Sequence, residues 1–198
     1  MGMEQTLIPL IAYAFATSAT PGPNNMMLLA SGANFGVRRS LPHMLGISLG
    51  HAFMVLVMGM GLAAALHAVP QVMVGLKLAA IAYVLWLAWK IAHSSAPSAG
   101  KAGASPLTFW QAAAFQWVNP KALAMAITAA TVYGGDGSFL AILTVGLVFA
   151  AVNLPSVALW CGMGEALRIL LQNPTRLRVF NWTMAGLLIA SMVPVLWA

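Results

Sequence analysis

Six residues near the start of the chain, Thr20-Pro21-Gly22-Pro23-Asn24-Asn25, put helix breakers directly ahead of side-chain amides. The two prolines supply no N–H, and their rings clash with carbonyls one turn back, so a helix stops there. Asn24 and Asn25 offer donors and acceptors both to freed backbone and to a polar solute. A second group, Gln116-Trp117-Val118-Asn119-Pro120-Lys121, repeats the amide–proline pairing and adds an ammonium. This chemistry recognises a small polar or charged solute and breaks no bonds. The chain shows no carboxylate pair, His/Cys metal spacing, nucleophile with a matched base or phosphate-cradling Gly-Lys loop. Neither an enzyme nor a bound metal or cofactor is expected.

The elements around these groups are apolar. Of 198 residues, 61% are hydrophobic and 6% charged, and the mean hydropathy is +0.88. Soluble domains carry about 25% charged residues, so the fold class expected is an all-α membrane protein. The net charge of +6 then marks cytoplasmic loops rather than a nucleic-acid surface. The lone Cys161 excludes an internal disulfide framework. Six spans of the ~20 residues that a bilayer needs are expected at Leu7–Ala33, His43–His67, Val72–Ile91, Leu107–Thr131, Ser138–Trp160 and Val179–Trp197. Cations fall on the first, third and fifth connections (Arg38 and Arg39; Lys90 and Lys101; Arg168, Arg176 and Arg178) and skip the second and fourth. By the positive-inside rule both termini lie outside.

Two groups of three spans, 1–93 and 107–198, flank a Ser/Ala/Gly/Pro-rich linker at 94–106. Three is odd, so the halves run in opposite directions, as in an inverted repeat. Pro21 and Pro120 each interrupt the first span of a half, roughly 20 Å from opposite membrane faces at 1.5 Å per residue. The two breaks are expected to meet mid-membrane, since non-helical backbone there must be buried in protein or line a polar cavity. The alternative is a kink satisfied by neighbouring helices. Lys121 is the intramembrane charge, and no intramembrane acid is present to pair with it. Its partners are freed carbonyls, water or a solute carboxylate; the alternative is snorkelling to the interface. His51 lies two turns inside the second span, as a proton carrier or as hydrogen-bonded packing. Gly46 and Gly50 suit close helix approach. Asn153 and Pro155 form a polar point midway through the fifth span. Lys77 is read as snorkelling, and His43, His67 and His93 as sitting at wet interfaces.

Together these residues resemble the LysE/RhtB family of bacterial amino-acid exporters. The likeness runs from Thr20-Pro21-Gly22-Pro23-Asn24-Asn25 through Gly36, the arginine pair, Gly46, Gly50 and Lys77 to Ala82-Tyr83-Val84-Leu85-Trp86-Leu87-Ala88-Trp89-Lys90. It resumes at Phe109-Trp110 and at Gln116–Lys121, and is weakest after Thr131. The Pro-Gly-Pro-Asn-Asn element and the Tyr-x-x-Trp-Leu-Ala-Trp-Lys run look most like the cysteine/O-acetylserine exporter branch. The resemblance implies a single six-span domain in two inverted halves with broken first helices. It also implies proton-driven export of a small neutral amino acid across the bacterial inner membrane, with periplasmic termini. The implied partners are the amino acid, protons and the lipid bilayer, and a homodimer is compatible. The resemblance carries the substrate site to Pro21, Gly22, Pro23, Asn24, Asn25, Asn119, Pro120 and Lys121; Gln116 joins it by its place one turn before Pro120, and His51 is the proton-coupling candidate by its depth in the second span. The rival readings are a metal or inorganic-ion exporter and a non-transporting membrane subunit.

Overall fold

Proline placement sets several helix starts. Pro23, Pro120 and Pro174 each open a helix, where the missing N–H is one that has no intrahelical partner anyway. Asn119 Oδ1 caps its helix by accepting from the N–H groups of Lys121 and Ala122 at 3.2 and 3.5 Å. Asn173 Oδ1 accepts likewise from Thr175 and Arg176 at 2.8 and 3.3 Å. Thr108 and Gln111 exchange side-chain and backbone bonds at 3.0 and 3.3 Å, closing a capping box.

The computed structural model describes residues 3–63, 70–94 and 105–191. They form helices α1 (Met3–Ala19), α2 (Pro23–Phe35), α3 (Val37–Val57, continued by a π-helical turn at Met58–Leu62), α4 (Pro70–Ala92), α5 (Phe109–Val118), α6 (Pro120–Tyr133), α7 (Phe139–Leu167) and α8 (Pro174–Ala190). No strand occurs among the described residues. His67, Lys101, Trp197 and most of the 94–106 linker lie outside those residues, as does the side chain of Lys77. Both expected interruptions are present, α1 from α2 at Thr20–Gly22 and α5 from α6 at Asn119. Helices Val37–Leu62 and Phe139–Leu167 are each long and apolar enough to cross a membrane.

Two expected boundaries move. The connection Asn34–Pro42 is not a loop, because Gly36 alone, at φ 82°, reverses the chain from α2 into α3. Only a residue without Cβ takes that conformation cheaply. Pro42 is tolerated inside α3 because the carbonyl it leaves unpaired belongs to Arg38, an exposed residue in the first turn. The fifth span was expected to stop at Trp160, yet α7 runs on to Leu167. Hydropathy marks the width of the apolar layer, and a helix can continue past it into the polar interface.

Helix α7 packs against α1, α2 and α3, while α3 also packs against α5 and α6. Small residues make these crossings close. A Cβ on Gly50 would lie 2.7 Å from the Ala113 Cα. One on Gly46 would strike the Phe109 carbonyl, and those on Gly32 and Gly164 would strike the carbonyls of Cys161 and Leu29. The glycine pair of α3 is thus packing, as expected. Large apolar side chains such as Ile8, Phe15, Leu78, Trp89, Leu140 and Leu159 face outward, a surface suited to lipid rather than water.

Arg39, Lys90, Arg168 and Arg178 gather at one end of the bundle. There Glu165 Oε2 accepts from the Val37 N–H at 3.2 Å, and its Oε1 lies 4.0 Å from Arg168 Nη1. Asn34 and Asn181 exchange amide bonds at 2.7 and 3.1 Å, and Asn181 also donates to the Ser94 carbonyl at 2.8 Å. At the opposite end the Tyr13 and Tyr133 rings meet at a tilt of 31° with centroids 5.6 Å apart, beside the turn that carries Asp136.

Gly164→Leu should cost about 2–3 kcal/mol by overpacking the α2–α7 crossing, read as a lower melting temperature of purified protein in detergent. Gly162→Leu, where an added Cβ meets nothing within 4 Å, should leave melting unchanged or higher.

Candidate functional site

Where α1 ends, its last carbonyls lose their helical donors. Each finds another. Ala16 O accepts from the Thr20 N–H at 3.3 Å and Thr17 O from Thr20 Oγ1 at 2.9 Å. Asn25 Nδ2 donates to Ser18 O at 2.9 Å and to Thr20 O at 2.8 Å. Trp160 Nε1 reaches across from α7 to Ala19 O at 3.2 Å. Gly22 O accepts from the Met26 N–H at 3.0 Å, inside α2. The remaining donor is Lys121, whose Nζ lies 2.8 Å from Thr20 O, 3.1 Å from Thr20 Oγ1 and 3.4 Å from Pro21 O.

Lys121 therefore joins the two interruptions. It stands at the start of α6, and its ammonium caps the carbonyl end of α1, the negative end of that helix dipole. Gly22 makes room for it, since a Cβ there would lie 2.9 Å from Lys121 Cδ. A second bridge runs beside it. Asn24 Nδ2 donates to Gln116 Oε1 at 2.8 Å, and Gln116 Nε2 returns to Asn24 Oδ1 at 3.1 Å and to Ala112 O at 2.9 Å. Pro23 and Pro120 open α2 and α6, and Pro21 sits exposed at the rim. Helix α2 has Gly22 at its cap position and no side-chain cap, so its first N–H groups are left for another partner.

Between these bridges lies a small cavity, lined by Thr17, Ser18, Gly22, Asn24, Asn25, His51, Asn119, Lys121, Ala122, Met125, Asn153 and Val157. Of the predicted site residues, Pro21, Pro23, Gln116 and Pro120 do not line it; they shape the breaks around it. His51 does line it, and its ring lies against Phe149 with centroids 5.1 Å apart. Buried polar atoms on the wall lack hydrogen-bond partners among the described residues: Ser18 Oγ, both ring nitrogens of His51, and Asn153 Oδ1. An unpaired buried polar atom carries a desolvation cost of about 1–3 kcal/mol, which a polar ligand or water in the cavity relieves.

Ser18 and Asn153 were not among the predicted site residues. Asn153 carried a signal, an amide midway along an apolar span. Ser18 carried none beyond lying three residues before Pro21. His43 departs from expectation, being 2% exposed rather than wet, with neither ring nitrogen paired among the described residues. No carboxylate or thiol lines the cavity, and no group of three or more His, Cys, Asp or Glu side chains converges among the described residues. The wall is amide, hydroxyl, imidazole and one ammonium.

A family profile described as LysE type translocator matches residues 15–193. The chain belongs to that family. Cysteine/O-acetylserine efflux protein of Klebsiella pneumoniae is 31% identical over 198 residues, covering 98% of each chain. The protein of the same name from Escherichia coli strain K12 is 37% identical over 133 residues, 66% of this chain and 67% of that one. A Shigella flexneri protein of that name is 37% identical over 122 residues, 61% of this chain and 62% of that one. No solved structure matches. The LysE-family profile includes both interruptions and the whole cavity wall, so the broken-helix geometry falls within the family's common region. As members of a membrane family, such chains meet the hydrogen-bonding demand described above in lipid.

Asn24→Ala and Gln116→Ala should each destabilise the protein, and the double variant by less than their sum. A coupling of about 1 kcal/mol is expected for a reciprocal amide pair, measured by a double-mutant cycle on thermal melting. A coupling near zero would mean the amides do not hold the breaks together.

Proposed function

We propose that this protein exports a small neutral amino acid, of the cysteine or O-acetylserine kind, through the cavity between its two helix breaks. The reading rests on one observation above all: unpaired polar atoms of Ser18, His51 and Asn153 converge beside an ammonium in a space bordered by two interrupted helices. Family membership and the efflux function named for its relatives support the same reading. In the pose we favour, the substrate carboxylate sits at the uncapped start of α2, within reach of Lys121, where N–H groups and dipole attract an anion. Its ammonium lies toward Asn153 Oδ1 and Ser18 Oγ. The predicted substrate set of Pro21, Gly22, Pro23, Asn24, Asn25, Gln116, Asn119, Pro120 and Lys121 then divides by task. Lys121, Gly22 and the amides of Asn24, Asn25 and Asn119 face the substrate; the prolines and Gln116 hold the breaks apart. A positively charged cavity without carboxylates disfavours a metal cation as cargo.

The transport cycle proposed is alternating access in a six-span inverted repeat, with α1–α2 and α5–α6 each crossing the membrane as a broken span. Reciprocal packing supports it: α1 lies on α7 as α5 lies on α3, and α2 lies on α7 as α6 lies on α3. With the basic end cytoplasmic, the termini are periplasmic and the membrane is the bacterial inner membrane. His51 is the group proposed to carry the coupling proton for antiport. The cavity is complete within one chain, so the cycle runs in a monomer and equally in each half of a homodimer.

Inverted vesicles should accumulate labelled O-acetylserine, faster with an acidic interior. Lys121→Ala should lower initial uptake at least about ten-fold, the effect of losing a charged hydrogen bond worth about 1.5–3 kcal/mol, with protein still folded in the membrane. Undiminished uptake would remove Lys121 from the site. His51→Gln should abolish the response to the pH gradient yet keep substrate exchange at equal pH; a full gradient response in that variant rules His51 out as the carrier.

A further inference from the structure

We propose that the basic end holds a second site, which binds the carboxylate of an amino acid through Lys90 and His43 before the solute reaches the central cavity. This extends the export reading and rests on it for the identity of the solute.

A separate small hollow lies between the end of α2, the start of α3, the end of α4 and the residues leading into α5. It shares no lining residue with the central one. Its polar wall is His43, Lys90, Asn34, Ser31, Ser94 and Ser105. His43 is buried at 2% exposure, and neither ring nitrogen has a partner among the described residues. Three of the other polar groups are engaged with the protein: Ser31 Oγ with Ser40 Oγ at 2.7 Å, Asn34 Nδ2 with Ala30 O at 2.8 Å, and Ser94 Oγ with Lys90 O at 2.8 Å. Lys90 makes no ion pair among the described residues; its Nζ lies 5.6 Å from the centre of the Trp86 ring. Glu165, the acid at this end, is held instead by Arg168 and the Val37 N–H. An unpaired ammonium and an unsatisfied imidazole facing one hollow form a receptor for an anionic oxygen pair.

The two cavities are strung along the same helices. His43 and His51 lie eight residues apart on α3, about 12 Å, and Asn25 and Asn34 nine apart on α2, about 14 Å, at 1.5 Å per residue. A solute leaving the basic-end site follows α2 and α3 to the central cavity.

The test uses full-length protein in nanodiscs of zwitterionic lipid, with tryptophan fluorescence read during titration with acetate, O-acetylserine or ethanolamine. The central site is disabled by Lys121→Ala in every sample. Acetate and O-acetylserine should give a saturable change, and ethanolamine none. Adding Lys90→Met should weaken the carboxylate response at least ten-fold, His43→Phe likewise, while Lys90→Arg retains it. An undiminished response in Lys90→Met, or ethanolamine matching acetate, overturns the proposal. So does loss of the acetate response when the discs contain phosphatidylglycerol, which would assign the pocket to a lipid phosphate. In inverted vesicles Lys90→Met should raise the half-saturating concentration at the basic face at least five-fold, a rise confined to that face. Wild-type protein that binds carboxylate but moves no amino acid would sink the export reading and leave this site standing.

Discussion

In hydrocarbon, a backbone carbonyl without a donor has no water to turn to, and its isolation costs several kcal/mol. That constraint governs the meeting of the two helix breaks. From Ala16 to Gly22 every carbonyl has a donor: Thr20 serves Ala16 and Thr17, and the rest draw on the first turn of α2, Trp160 on α7 and Lys121 on α6. The break after α1 draws part of its hydrogen bonding from α6 and α7. The prolines thus open a gap in one helix that only tertiary structure can close.

Closing it in this manner leaves a particular residue of chemistry. Asn25, Asn119, Gln116 and Lys121 are largely committed to backbone or to each other, whereas Ser18, His51 and Asn153 keep free polar atoms toward the cavity. The committed groups fix the geometry, and the free ones are available to a solute. Lys121 belongs to both sets, because its charge still acts on the cavity while its N–H groups bind α1. A carboxylate arriving near it competes with the carbonyls of Thr20 and Pro21, so binding and the coupling of the breaks are linked through one ammonium.

The glycine crossings serve the same end. Gly32 and Gly164 let α2 and α7 touch backbone to backbone, and Gly46 and Gly50 do so for α3 and α5. Close approach in lipid rests on packing rather than on hydrophobic burial. It brings Trp160 within reach of Ala19 and places His51 and Asn153 on facing walls. Helices α2 and α3 then run from the central cavity to the basic end, where His43 and Lys90 line a hollow of their own.

Much of this was written in the order of residues. The prolines, being unable to donate, dictate where α1 and α5 stop; apolar runs dictate an all-helical membrane chain; and a lysine beside the second break had to find carbonyls, water or a solute. The sequence could not rank those partners, because they lie 101 positions away at Thr20 for Lys121, 92 for the Asn24–Gln116 pair and 147 for Asn34–Asn181. Nor could it tell that Gly36 alone turns the chain, or that His43 is buried rather than wet. Local composition fixes what a residue is able to bond, since that is a property of the side chain and its neighbours. Which of those capacities is used up, and which is left facing a cavity, depends on what distant helices bring within 3 Å, and that was decided only by packing.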